Sequence, residues 1–415
     1  MPPSAARLAG LCEEARRLQP RTVALRRTLH RHPEVGLDLP HARDAVLAEL
    51  DDLPVRIHLG RGLSSVVAVL DGARPGPTVL LRADMDALPL QEETGLPFAS
   101  EVPGVMHACG HDMHVAMLAS AARLLSARRD QIAGRVLFVF QPGEEGHHGA
   151  RIMIEEGLLD RNGPGGPPDL AYALHVSASL PSGELHCRPG PIMAAADTLR
   201  VTVTGRGGHA SAPHDALDPV PAAAAMVSAL QTALTRRVDA HDPVVLTIAR
   251  LAAGTADNVI PETAVLEGTI RTLSEPVRAQ VHTEVDRVCT HTALAHGCEA
   301  RVEIQPGYPV TVNDREATAR LEALAREVLG PERVVPMVTP IMGAEDFSYL
   351  LQRVPGALAF LGSAPPRSDP SSAPSNHSNR VVFDEDAMVA GVAVYAALAL
   401  MAFDTAHPDP IGPGS

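Results

Sequence analysis

RVLFVFQPGEEG, residues 135–146, is the stretch on which the reading of the chain turns. Its first half is a continuous apolar run through Val136, Leu137, Phe138, Val139 and Phe140. A strand that is apolar on both faces belongs inside a sheet covered on both sides, as parallel sheets are. Its second half breaks at Pro142 and Gly143 and then presents two consecutive carboxylates, Glu144 and Glu145. Loops at the carboxyl ends of parallel strands are where open α/β sheets hold their ligands. Two adjacent carboxylates there can divide the work, one binding a cation while the other acts as a base. An acidic pair in a turn is equally an ordinary solvated feature, so the rest of the chain has to decide.

Working outward, SSVVAVL (64–70), TVLLRADMD (78–86), DLAYALHV (169–176) and GALAFLG (356–362) have the same buried-strand character. Between and around them, apolar residues recur every three or four positions over 5–30, 41–52, 112–128, 314–329 and 384–403, which predicts helices. Strands alternating with helices predict an α/β fold with a mainly parallel sheet. Residues 197–308 have a different character. Strands at 199–205, 244–254, 263–272 and 299–306 and helices near 218–236 and 275–296 come in the order β-α-β-β-α-β, the split-βαβ pattern of a ferredoxin-like sandwich. The expectation is one α/β domain formed from 1–196 and 309–415, interrupted by a smaller inserted domain at 197–308.

Composition excludes several chemistries. The 415 residues carry a net charge of −14, and every basic residue is an arginine. Without lysine there is no Schiff base for pyridoxal-phosphate catalysis and no P-loop lysine. The acidic balance gives no basic stripe for nucleic acid. No apolar run of about 20 residues predicts a membrane span. The five cysteines are scattered and odd in number, unlike a secreted disulfide framework, and the N-terminal stretch lacks a signal-like apolar core; a cytoplasmic enzyme is the expectation.

The densest chemistry is HACGHDMH (107–114), where thiol, imidazole and carboxylate crowd the entrance to a helix. These are ligand types for zinc or a similar divalent ion. Without a second nearby cysteine, a closed structural zinc site is disfavoured against an open one. Asp84 and Asp86 end the strand 78–86 and would hold a metal-binding histidine in one tautomer, or simply cap a helix start. His175 ends another strand, and His377 sits in the Pro/Ser-rich loop 363–379. Either histidine alone would pass for a packing or surface residue. Strand ends converging on one sheet edge would gather Cys109, His111, Glu145, His175 and His377 into one cluster with an open position.

With these residues in place, the chain resembles the M20 metallopeptidases, in the branch containing hippurate hydrolases, N-acyl-amino-acid deacylases and auxin-conjugate hydrolases. The resemblance runs nearly end to end, through LHRHPEVGL (29–37), LRADMDALPL (81–90), MHACGHDMH (106–114), FQPGEEG (140–146), GRGGHASAP (205–213), ADNVIPETAVLEGTIRT (256–272), MGAEDFSY (342–349) and NHSNRVVFDE (376–385). It implies two divalent ions, Zn²⁺ or Mn²⁺, on Cys109, His111, Glu145, His175 and His377, with Glu144 as general base. It further implies that the insert is a lid that dimerises through a sheet edge. His209 would reach the partner subunit's site to stabilise an oxyanion, and Asn258 and Arg271 would grip a substrate carboxylate. The expected reaction is hydrolysis of the amide bond of a small N-acylated amino acid. A dipeptidase or carboxypeptidase, a cysteine hydrolase using Cys109, and a silent ligand-binding homologue are the rivals. Three departures from the family pattern, His147-His148 where glycines are frequent, Met113 and Asn379, bear on the shape of the pocket.

Overall fold

The computed structural model describes residues 7–366, 369 and 372–401. The ends of the expected first and last helices and part of the Pro/Ser loop therefore lie outside the described residues. The chain divides into two compact units. The first comprises Met1–Ile192, Val312–Thr339 and Tyr349–Ser415, and the second Met193–Thr311 and Pro340–Ser348.

The first unit opens with helix α1 (Leu11–Arg31), which buries Leu11, Ala15, Leu25 and Leu29 along one stripe and tolerates Pro20 in its interior. Helix α2 (Pro40–Leu50) comes next, then β1 (Arg56–Leu59), β2 (Val66–Asp71) and β3 (Arg74–Asp84). Helix α3 (His111–Ala127) is buried nearly all round, packing on β3 and against α1 and α2. After it come β4 (Ala133–Gln141), a short helix α4 (Gly149–Glu155), β5 (Leu170–Ser177) and β6 (Leu185–Cys187).

The second unit contains β7 (Ala195–Thr204), α5 (Pro219–Arg237), β8 (Val244–Ala253), β9 (Thr263–Thr272), α6 (Glu275–Ala295) and β10 (Glu299–Pro306). Its sheet runs β8-β9-β7-β10 with every pairing antiparallel, which is the ferredoxin-like order. Strand β9 alternates along its length. Ala264, Leu266 and Ile270 are buried with the helices, while Glu267, Thr269 and Arg271 lie on the other face. Asp218 and Ser274 cap the two helices, their side chains accepting from Val220 and Val277 N–H respectively.

The chain then completes the first unit with α7 (Arg315–Leu329), β11 (Val334–Pro336), β12 (Gly356–Gly362) and α8 (Met388–Met401). Its eight-stranded sheet has the order β1-β2-β4-β3-β5-β12-β6-β11. The central run β4-β3-β5-β12 is parallel throughout, and β6 and β11 are parallel to each other. Antiparallel joints occur outside this run, between β1 and β2, β2 and β4, and β12 and β6. Because β3, β4 and β5 are parallel, Asp84, the Glu144-Glu145 loop and His175 all arise at the same edge of the sheet.

Two histidines of LHRHPEVGL lie outside this edge chemistry. His30 is buried and shares the Asp112 carboxylate with Arg26, at 2.7 and 2.8 Å, and His30 also lies 3.4 Å from Glu92. His32 is exposed and its amide donates to the Leu29 carbonyl at the end of α1. The motif ties α1 to the start of α3.

Candidate metal centre

The thiol of Cys109 lies at the middle of the cluster. Its Sγ is 3.4 Å from His175 Nε2 and 3.3 Å from His377 Nε2. Cys109, His111 and His175 bring one ligand atom each within 4.8 Å of one another, and so do Cys109, Glu145 and His377. Two three-residue sets thus share one sulfur. All five residues expected from the sequence as ligands meet here.

Local hydrogen bonds aim each donor inward. His111 Nδ1 bonds the backbone carbonyl of Asp86 at 2.8 Å and His175 Nδ1 bonds the carbonyl of Val176 at 2.8 Å, so both rings direct Nε2 at the cluster. The tautomer of His111 is therefore set by the main chain of Asp86. The Asp86 carboxylate instead accepts the amide N–H groups of Glu144 and Glu145, each at 2.9 Å. The His377 backbone is left-handed, at φ 69°. Its amide donates to the Ala108 carbonyl, and neighbouring Asn376 donates to the carbonyls of Cys109 and Val176 while accepting from Ala178 N–H. Sequence reasoning passed over Asn376, whose only signal was its place beside His377.

His114 belongs to the motif but has no lone pair to spare. Val176 N–H donates to its Nε2 at 2.8 Å, and its Nδ1 faces Asp84 at 2.5 Å. Asp84 holds Arg82 on its other oxygen at 2.6 Å, and Arg82 donates to Gln141 at 2.9 Å. Burial opposes ionisation of Asp84, but Arg82, His111 and His114 outweigh it and hold its carboxyl well below the usual range. Asp84 is thus a buried anion behind the ligands, 3.6 Å from His111 Nε2.

The donor set fits divalent metal. Among the described residues, buried His111 Nε2 has no hydrogen-bond partner, and Glu145 Oε1 makes no well-formed hydrogen bond but faces His377 Nε2 at 3.3 Å, both atoms lying in a polar site. Burial pushes the Cys109 thiol up to about 12 and pushes the His175 imidazole well below its ordinary value. A thiolate at neutral pH here requires a compensating cation, whereas a neutral imidazole is already a ligand. The same burial argues against a free nucleophilic thiolate. Glu144 is buried, and one of its oxygens lies within 4.8 Å of ligand atoms of both His111 and Glu145.

His209, Asn258 and Arg271 belong to the second unit. His209 is exposed and its strand pairs with Val259, while Ala210 N–H donates to the Asn258 carbonyl at 3.1 Å, so His209 and Asn258 are neighbours. Arg271 is half-buried on the helix-free face of β9.

Residues 80–401 match the model of the family described as Peptidase family M20/M25/M40. The chain is 38% identical over 394 residues to Thermostable carboxypeptidase 1 of Saccharolobus solfataricus, covering 94% of this chain and 97% of that protein. It is 35% identical over 387 residues to N-acetylcysteine deacetylase of Bacillus subtilis, covering 93% and 97%. The crystal structure of a Bacillus subtilis dinuclear metal-binding peptidase from the M20 family superposes with a TM-score of 0.81 at 31% identity, covering 94% of this chain and 99% of that one. With two ligand sets around one sulfur, and relatives matched over nearly their whole length, the chain belongs to peptidase family M20/M25/M40 and is a metal-dependent hydrolase.

Proposed function

We propose that the protein hydrolyses the amide bond of small N-acylated amino acids, with Glu144 as general base. The observation that carries this is the Glu144 carboxylate beside both ligand sets, on a loop whose amides are fixed by Asp86. Two divalent ions, Zn²⁺ or Mn²⁺, held by Cys109, His111, Glu145, His175 and His377, would supply an acidified water and polarise the scissile carbonyl. Glu144 takes the proton of the attacking water and returns it to the leaving amine. Asp84 and Asp86 keep the ligand histidines and the Glu144 loop in register.

The inserted unit serves as lid and dimerisation domain in this reading. His209 supports an oxyanion role in a second copy of the chain. Ser211 N–H donates to its Nδ1 at 3.1 Å, so the neutral ring carries its proton on Nε2, which makes that nitrogen a donor. Asn258 and Arg271 would receive the substrate carboxylate, a group for which arginine offers two parallel N–H donors. The cysteines stand as free thiols, the state that a reducing cytoplasm maintains. No described helix is long and apolar enough to cross a membrane.

The relative named a carboxypeptidase favours a second reading, cleavage of the C-terminal residue of a short peptide. Both substrates present an amide next to a free carboxylate. The deciding experiment compares amino-acid release from N-acetyl and N-benzoyl amino acids with release from N-blocked dipeptides. Protein is assayed after chelation and again with Mn²⁺ or Zn²⁺ restored. Metal-dependent release from the acyl amino acids at the higher kcat/KM supports deacylation; the reverse ranking overturns it in favour of the peptidase.

A further inference from the structure

The loop that carries Glu144 and Glu145 is held from two sides, and only one of them is Asp86. Three of its residues turn through left-handed backbone: Gly143 at φ 74°, Gly146 at φ 83° and His148 at φ 58°. Glycine takes this conformation freely, while a side chain makes it unfavourable. The loop ends meet, with Gly149 N–H donating to the Gly143 carbonyl at 3.0 Å. A Cβ at Gly149 would fall 1.7 Å from the Pro142 carbonyl oxygen, so the closure has no slack. His148 sits inside this ring, three positions beyond Glu145.

The imidazole of His148 is committed to a contact. Its Nδ1 lies 2.9 Å from the hydroxyl of Tyr349, a residue 201 positions away, and the two rings are 6.0 Å apart. The Arg151 guanidinium lies over the Tyr349 ring at 6.0 Å. An unfavourable backbone conformation retained beside a reacting group, with its side chain bonded to a distant element, marks a constraint on that group.

We propose that His148 and Tyr349 are positioning residues: their hydrogen bond braces the Glu144-Glu145 loop at a second point besides Asp86 and sets where the Glu144 carboxylate stands. The inference rests on the assignment of Glu144 as base. The brace acts on turnover more than on substrate binding, because it touches the loop of the base.

The test is a double-mutant cycle with His148→Gly and Tyr349→Phe on the metal-loaded protein, following kcat, KM, bound metal and thermal midpoint. His148→Asn is the conservative control, since asparagine tolerates left-handed backbone and keeps a polar group in reach. Each single variant should lower kcat by about tenfold with KM and metal content held, and the double variant should be no worse than the poorer single. His148→Gly should melt no lower than the parent, and His148→Asn should recover part of kcat. Parental kcat in either single variant, or losses that multiply in the double, overturns the brace. Glu144→Gln, assayed alongside, keeps the two proposals apart: full turnover there removes the base assignment, while coupling between His148 and Tyr349 is still read from the cycle.

Discussion

Cys109 Sγ and His377 Nε2 stand 3.3 Å apart although 268 positions separate them in the chain. The same sulfur also faces His175, so it is common to both ligand sets. Cys109→Ala should therefore empty both sites together. His175→Ala and His377→Ala should each weaken one site selectively. Metal per chain, measured by elemental analysis after gel filtration of each variant, checks this; a Cys109→Ala protein that retains its full metal content contradicts the shared-sulfur arrangement.

Asp86 offers two carboxylate oxygens to two consecutive amides, those of Glu144 and Glu145. Asn at this position keeps one acceptor and turns an N–H₂ group toward an N–H, so one amide loses its partner in a buried setting. Asp86→Asn should lower kcat by about tenfold or more through displacement of Glu144. KM should change little. Steady-state kinetics on protein matched for metal content gives the answer.

Acid sensitivity should be concentrated in the cluster around α1. Burial opposes ionisation of Glu92, but hydrogen bonds from His30, Thr94 and Ser100 N–H bring its pKa down from 4.5 to about 2. A carboxylate with a depressed folded pKa contributes stability above its unfolded value and loses it as pH falls through the folded one. Glu92→Gln should thus cost about 2 kcal/mol at neutral pH, and the gap to the parent should close between pH 4.5 and about 2. His30 has the opposite sign. Burial lowers its pKa, but Asp112 and Glu92 outweigh this and raise it above 6.5, so its contribution is full below 6.5 and fades as pH rises past the raised value. Chemical denaturation at stepped pH tests both limbs.

In the second unit, Asp197 is buried and accepts from Arg278 at 3.0 Å, from Gly307 N–H at 3.1 Å and from His282 at 2.6 Å. Removing the guanidinium leaves a buried carboxylate short of its main counter-charge. Arg278→Met should destabilise this unit by about 3 kcal/mol, seen as earlier loss of exchange protection in β7 and α6 than in α3. Uniform protection across both units would argue against it.

Much of the fold was legible because its core elements announce themselves. Strands β3, β4, β5 and β12 each carry a buried apolar run, and the inserted unit has a recognisable order. The missed elements lack such patterns. All four residues of β1 are exposed, β6 and β11 have three residues each and exist through their pairing, and α4 is two turns long. The antiparallel joints flanking the central run were hidden for the same reason, since they involve these short strands or β2. At the site, the crowded motifs HACGHDMH and EE were readable as chemistry. The capture of His114 by Asp84 and Val176, and the clasp of Asn376 on the Cys109 loop, depend on side chains meeting across the fold. No local spacing encodes them.

The interruption of the first unit has a consequence for how the molecule is made. The sheet of the second unit is complete once Pro306 has been synthesised. The large sheet has to wait for β12, which inserts between β5 and β6 with Gly356 opposite Ala171. On the ribosome, β5 therefore keeps one edge unpaired while residues 178–355 are made, and α8 arrives later still. Its partners are recruited only after a distant segment emerges, a slow closure of high contact order. During that interval the half-built sheet is the species that chaperones would meet, with β5 its open edge.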